Sequence, residues 1–146
     1  MKGEPTLILL VEDDPAHAEI TRRNLDASGI AHRLIHLDDG QAALDYLFRR
    51  GRFQNPSETP RPHLILLDLR LPKVEGLEVL RRVKGDDALR EVPVVVLTTS
   101  AAPADIADAY RHSASSYLVK PTDFDQFTEL LGTFGHYWLA WNRYPD

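Results

Sequence analysis

Short runs of Val, Ile and Leu recur along the chain at TLILLV (6–11), HRLIHL (32–37), HLILLD (63–68), VPVVVLT (92–98) and SYLVK (116–120). Near-continuous apolar runs of this length predict strands buried on both faces; HRLIHL is the weakest because polar residues interrupt it. The segments between them carry helical spacing. DPAHAEITRRNLDASG starts a helix well, with Asp14 as cap and Pro15 at the first helical position, and Gly29 ends it. Ala43, Leu44, Leu47 and Phe48 share one helical face, as do Leu77, Leu80 and Val83, and Ile106, Ala109 and Tyr110. Strand and helix alternate throughout, which predicts a doubly wound α/β domain whose parallel sheet is covered on both faces.

Two segments stand outside this alternation. GRFQNPSETPRP (51–62) is rich in breakers and longer than the usual αβ connection, and is expected to be a solvated insertion rather than a binding loop. At the C-terminal end, Phe124, Phe127, Leu131, Phe134, Trp138 and Trp141 recur at spacings of 3, 4, 3, 4 and 3, a heptad-like stripe. Gly132 and Gly135 interrupt it, each weakening a helix by about 1 kcal/mol relative to Ala.

With 146 residues the chain suits a single domain over 1–146, with one core. No apolar run approaches the roughly 20 residues needed to span a bilayer, and the first apolar segment runs into acids rather than a cleavage site, so a soluble protein without a signal peptide is expected. The absence of cysteine excludes disulfides, thiolate nucleophiles and cysteine-ligated zinc, and suits the cytoplasm. A formal charge of −5 argues against nucleic acid as a partner, since phosphates reward clustered Lys and Arg.

In a doubly wound sheet, ligands bind beyond the carboxyl ends of the strands. Those ends carry Glu12 and Asp13, then Asp68, then Thr98 with Thr99 and Ser100, then Lys120. Each residue alone has a structural explanation; their joint occurrence at successive strand ends points to a site. Clustered carboxylates repel in a partly dry environment and need a cation. An all-oxygen donor set suits a hard ion such as Mg²⁺, with Mn²⁺ an alternative, and Mg²⁺ commonly bridges carboxylates to phosphate. Asp14, followed by Pro15, is expected to cap the helix rather than bind metal.

The acidic pair, the Asp in LLDLRLPKVEG, the Thr ending PVVVLT and the YLVKP segment together resemble the receiver domain of two-component response regulators. The resemblance implies a flavodoxin-like sheet of order 2-1-3-4-5 flanked by five helices. It further implies that Asp68 accepts a phosphoryl group from the histidine of a sensor kinase. Asp13 would ligate Mg²⁺ directly, Glu12 through water, and Asp68 and the backbone carbonyl of Arg70 would complete the protein ligands. Lys120 would contact the phosphoryl oxygens; Thr98 would move toward them and Tyr117 follow into the vacated space. The Lys120–Pro121 bond would be cis.

Two positions depart from the family's common pattern. Arg70 places a guanidinium two residues beyond the phosphoacceptor, able to pair with Glu12 or to shield the phosphoryl group from water, which implies its slow loss. Ser113 stands where a glycine is common, at a left-handed helix end.

The loop at 51–62, the PTDFDQF start of the last helix and the YWLAWNRYP tail are similar to small single-domain regulators paired with phytochrome-type histidine kinases. A receiver core needs only the first half of the aromatic stripe. The extended helix and tail at 123–146 are therefore expected to form a homodimer interface through Phe134, Trp138, Trp141 and Tyr144, the alternative being that the later aromatics fold back on their own domain. Signalling by conformational switching, without an output domain and without turnover of a substrate, is the leading expectation. The alternatives are a phosphatase that forms a phospho-aspartate, which would carry a second Asp where Arg70 stands, and an interaction domain independent of phosphorylation.

Overall fold

The computed structural model describes residues 5–145; residues 1–4, the start of the expected signal-free N-terminus, and residue 146, the end of the tail, lie outside it. The apolar runs become strands β1 (Thr6–Val11), β2 (His32–Leu37), β3 (Leu64–Leu67), β4 (Val94–Thr98) and β5 (Ser116–Val119), and the segments between them helices α1 (Pro15–Ala27), α2 (Gly40–Leu47), α3 (Gly76–Lys84), α4 (Pro103–Arg111) and α5 (Phe124–Gly135). All neighbouring strands pair in parallel in the order β2-β1-β3-β4-β5. The chain therefore reverses winding between β1 and β3, the place where such sheets open a crevice.

The central strands β1, β3 and β4 are buried almost without interruption, as strands covered on both faces require. One core layer gathers Leu9, Val11, Ile65, Leu67, Val94 and Val96 with Leu44, Leu47, Val79, Leu80, Val83 and Ala109 from α2, α3 and α4. Alternate strand residues Ile8, Leu10, Leu64, Leu66, Val95 and Leu97 face the other layer, filled by Leu25 of α1 and Phe127, Leu131 and Phe134 of α5. The period-2 alternation of strand side chains thus divides one apolar run between two helical layers.

The capping reading holds. Asp14 has extended backbone and accepts from the N–H groups of Ala16 (2.9 Å) and His17 (3.2 Å), with Pro15 at the start of α1. Gly29, with φ of 73°, turns the chain after that helix. Ser113 adopts φ of 71°, the left-handed conformation expected at the end of α4.

The 51–62 segment is exposed over much of its length, as a solvated insertion is, and is anchored to α2. It forms two short 3₁₀ turns, Gly51–Phe53 and Pro56–Glu58, and Phe53 packs edge-on against Tyr46 at 5.4 Å. The Tyr46 hydroxyl donates to the Pro60 carbonyl at 2.8 Å, and Arg49 and Arg61 donate to the carbonyls of Thr59 and Leu47. Two expectations are corrected. First, the peptide bonds of the described residues, Lys120–Pro121 included, are trans.

Second, the aromatic stripe does not continue as one α-helix. After Gly135 the backbone widens into a π-helical stretch, His136–Trp141, and the following tail turns back: the Tyr144 hydroxyl donates to the Trp138 carbonyl at 2.6 Å and its ring stacks near Trp138 and His63. The wider turn shifts the later aromatics out of register with the earlier ones. Phe134 is consequently buried in its own core at 4% exposure, and Trp138 and Tyr144 pack beside it, so these three cover this domain, whereas Trp141 remains 70% exposed.

Candidate functional site

Parallel strands deliver their last residues to one edge, and hydrogen bonds just past the regular strands hold the site's backbone. Glu12 N–H donates to the Leu37 carbonyl at 3.0 Å, Asp68 N–H to Val11 at 3.0 Å, and Lys120 N–H to Thr98 at 2.7 Å. Glu12, Asp68 and Lys120 therefore each sit one step beyond a strand, the first two beyond buried ones, on backbone tied into the sheet by hydrogen bonds. Gly76 at the start of α3 is required beside this edge. A Cβ there would lie 2.2 Å from the Asp68 carbonyl oxygen, while the Gly76 N–H reaches the Leu69 carbonyl at 2.9 Å.

The ammonium of Lys120 organises the pocket. Its Nζ donates to Glu12 Oε1 at 2.5 Å, to Asp68 Oδ2 at 3.0 Å and to His17 Nδ1 at 3.0 Å, which uses all three of its N–H bonds. Glu12, Asp68 and Lys120 are all buried. Asp13 is exposed at the mouth, and carboxylate oxygens of Glu12, Asp13 and Asp68 lie within 4.8 Å of one another.

Three carboxylates facing one ammonium leave an excess of negative charge in a poorly solvated place, and the two buried acids respond in opposite ways. Burial pushes Glu12 up to about 7, against the hydrogen bond and charge of Lys120. Burial also acts upward on Asp68, but the charge and hydrogen bond of Lys120, with the Arg70 N–H donating to Oδ1 at 3.2 Å, hold it below the usual carboxylate value. Asp68 is therefore a ready anion, and Glu12 is the acid a cation would stabilise.

Thr98 lies at the same edge, wholly buried; its hydroxyl makes no hydrogen bond of ordinary geometry among the described residues, yet it stands close enough to Asp68 to help hold that carboxyl down. A buried hydroxyl without a well-formed hydrogen bond is costly, and an oxygen-rich group on Asp68 would supply the acceptor it lacks. With the all-oxygen carboxylate cluster, this poorly satisfied donor makes the site fit both a hard divalent cation and a phosphoryl group. Tyr117 lies on the adjoining strand, its hydroxyl donating to the Ser100 carbonyl at 2.8 Å in the loop that follows Thr98.

Sequence reasoning placed Glu12, Asp13, Asp68, Thr98 and Lys120 together, and the structure does so. It misplaced the partner of Arg70. Glu12 is taken by Lys120, and the exposed Arg70 guanidinium instead reaches Asp105 Oδ2 at 2.5 Å, an oxygen that also accepts from the Ser100 hydroxyl at 2.5 Å. Two residues were missed outright, His17 and Asp105. Each sits in the first turn of a helix whose start lies just past a strand end, which was the available signal.

The response regulator receiver domain family matches residues 8–132. Among curated proteins, the probable methanogenesis regulatory protein FilR2 of Methanothrix harundinacea is 45% identical over 142 residues, covering 97% of this chain and 89% of that protein. Response regulator Rcp1 of Synechocystis sp. is 41% identical over 135 residues, covering 92% and 90%. The crystal structure of Mn²⁺-bound Rcp1 superposes with a TM-score of 0.93 at 39% identity, covering 97% of this chain and all of that one. The phosphorylated cyanobacterial phytochrome response regulator RcpA superposes at 0.92 with 35% identity, covering 98% and 100%. Fold, strand-end chemistry and these matches agree: the chain belongs to the response regulator receiver domain family and is a two-component signalling protein.

Proposed function

We propose that this chain is a single receiver domain that accepts a phosphoryl group on Asp68 in a Mg²⁺-dependent reaction and signals through protein contacts. The observation that carries this reading is the placement of Lys120 between Glu12 and Asp68, with the poorly satisfied Thr98 hydroxyl at the next strand end. An Asp68 oxygen attacks the phosphorus of a histidine-bound phosphoryl group, the P–N bond breaks, and the histidine leaves with a proton. Asp13, Asp68 and the Arg70 carbonyl would hold Mg²⁺ directly and Glu12 through water, and the ion would supply charge neutralisation for the phosphoryl oxygens. Lys120 turns from Asp68 toward those oxygens, and the Thr98 hydroxyl gains the acceptor it lacks. That inward movement opens space for Tyr117 and frees its hydroxyl from Ser100, shifting the population toward the signalling state. Mass spectrometry after incubation with Mg²⁺ and acetyl phosphate tests the reading: one phosphate is expected on the native chain. Addition that persists in Asp68→Asn, or without metal, rules the mechanism out.

The phosphodonor in this reading is a sensor histidine kinase of the phytochrome type, supported by the likeness to RcpA across 98% of this chain. Chemistry beyond self-phosphorylation and self-dephosphorylation is not part of the reading. Arg70 in place of a second acid disfavours a phosphatase. Lys120 retained beside Asp68 disfavours a phosphorylation-independent domain. No helix of the described residues is long and apolar enough to cross a membrane, and the charge of −5 disfavours nucleic acid; we place the protein in the cytoplasm. Its contact with a second copy runs along the last helix. An apolar groove of about 570 Å³, lined by Leu118, Leu130, Tyr137 and Trp138, opens there, with Tyr137 and Trp141 exposed nearby.

A further inference from the structure

We propose that His17 is a positioning residue for Lys120. The inference rests on the reading above, in which Lys120 turns toward the phosphoryl group. An ammonium has no lone pair, so in the 3.0 Å contact with Lys120 Nζ the His17 Nδ1 must be the acceptor and the ring proton must sit on Nε2. That nitrogen faces Asp14 Oδ2 at 3.7 Å, close enough for a favourable field though too long for a hydrogen bond. The residue is held from two further sides. Its backbone N–H is held by the Asp14 cap at 3.2 Å, and Phe127 of α5 meets it edge-on, with centroids 5.7 Å apart at 86°. His17 thus joins α1, α5 and the end of β5 through one residue.

The neutral acceptor differs from the other two partners of Lys120. Glu12 and Asp68 are the groups that a divalent cation and a phosphoryl group engage. Once they are engaged, His17 is the protein acceptor left to the ammonium, and it keeps Nζ turned into the pocket instead of toward solvent. A carboxylate in the same place would add a charge competing with the phosphoryl oxygens; a neutral imidazole aims the ammonium without doing so.

The first test needs no phosphate. In ¹⁵N NMR of the full chain, His17 is expected to show unprotonated Nδ1 and protonated Nε2, and the Nδ1 resonance is expected to shift in Lys120→Met. Identical His17 resonances in both chains would overturn the proposal. The second test measures phosphorylation by acetyl phosphate with Mg²⁺. His17→Leu, which fills the ring's space without an acceptor, is expected to slow it roughly tenfold, the scale of one charge-assisted hydrogen bond. His17→Asn, whose amide oxygen reaches the position of Nδ1, is expected to restore most of the rate. Equal rates for His17→Leu and the native chain refute the positioning role, as does failure of His17→Asn to recover rate while remaining as thermally stable as His17→Leu. A native chain that takes up no phosphate refutes the assignment of Asp68 instead, and the NMR comparison still decides the His17–Lys120 contact.

Discussion

The guanidinium of Arg70 donates to Asp105 Oδ2 at 2.5 Å, tying the residue two positions beyond Asp68 to the first turn of α4. Asp105 is mostly buried and also holds the Ser100 hydroxyl, whereas the Arg70 side chain is 56% exposed. Such a half-exposed pair contributes at most about 1 kcal/mol to stability. Its interest lies in its anchor: the Arg70 backbone N–H donates to Asp68 Oδ1 at 3.2 Å, so a phosphoryl group on Asp68 would be expected to compete with Asp105 for the guanidinium.

Arg70→Ala should therefore leave urea-denaturation stability within about 1 kcal/mol of the native chain. It should shorten the life of the acyl phosphate several-fold by admitting water. The check is the decay of phosphorylated protein after donor removal, and an unchanged decay rate would eliminate the shielding role of Arg70.

The acids after β1 have separable roles. Asp13→Ala should abolish most metal-dependent phosphorylation, because it removes the exposed carboxylate of the cluster. Asp14→Ala should cost about 1 kcal/mol of stability through the lost cap and leave phosphorylation nearly unchanged. Thermal melts and phosphorylation assays on both variants check this; a metal defect in Asp14→Ala would refute the division.

Glu12 should make the effect of Mg²⁺ depend on pH. Its carboxyl titrates near 4.5 in an unfolded chain and is raised to about 7 when folded, so between those values the folded state holds a proton the unfolded state has lost. Its contribution therefore lowers stability as pH rises through that window, and the cost is complete above it. Asp68, with a depressed value, acts oppositely: it stabilises above its unfolded value of 3.8, and that stability is lost as pH falls through the folded value. Bound cation favours ionised Glu12, so the rise in Tm on adding Mg²⁺ should grow between about pH 5.5 and 8 and grow less in Glu12→Gln. A Mg²⁺ shift independent of pH would contradict this account.

Backbone geometry yields an opposed pair of variants. Ser113→Gly should raise stability by up to about 1 kcal/mol, since Ser pays for the left-handed φ of 71° that Gly adopts freely. Gly76→Ala should cost about 1–3 kcal/mol or more and impair phosphorylation, because its Cβ would press on the Asp68 carbonyl. Denaturant midpoints and phosphate uptake for the two variants give the comparison.

Association through the last helix is open to a direct measurement. Trp141→Ala should weaken a dimer without destabilising the fold, since that ring is 70% exposed, whereas Phe134→Ala should unfold the domain in part by emptying its own core. Light scattering at micromolar concentration, with and without phosphate on Asp68, reads this. A monomer in both states would dismiss the interface.

The sequence by itself determined the sheet and the membership of its edge. Near-continuous apolar runs with intervening helices permit little besides a parallel sheet, and a parallel sheet must bring Glu12, Asp68, Thr98 and Lys120 to one side, whatever the details of packing. Asp14 and Pro15 were equally legible, because a helix cap depends on neighbours two or three residues away. What only the tertiary structure decided was which partners those residues take. Lys120 and Glu12 are 108 positions apart, Lys120 and His17 are 103, and Arg70 and Asp105 are 35. The choice among several acids within reach turns on tenths of an ångström set by helix packing, which no local pattern encodes. The same holds for the C-terminal aromatics. Their spacing reads as one helical stripe, but the widened turn after Gly135 and the contact of Tyr144 with Trp138 send the chain back onto its own core, because burying those rings there removes more apolar surface from water than a continuing exposed helix would.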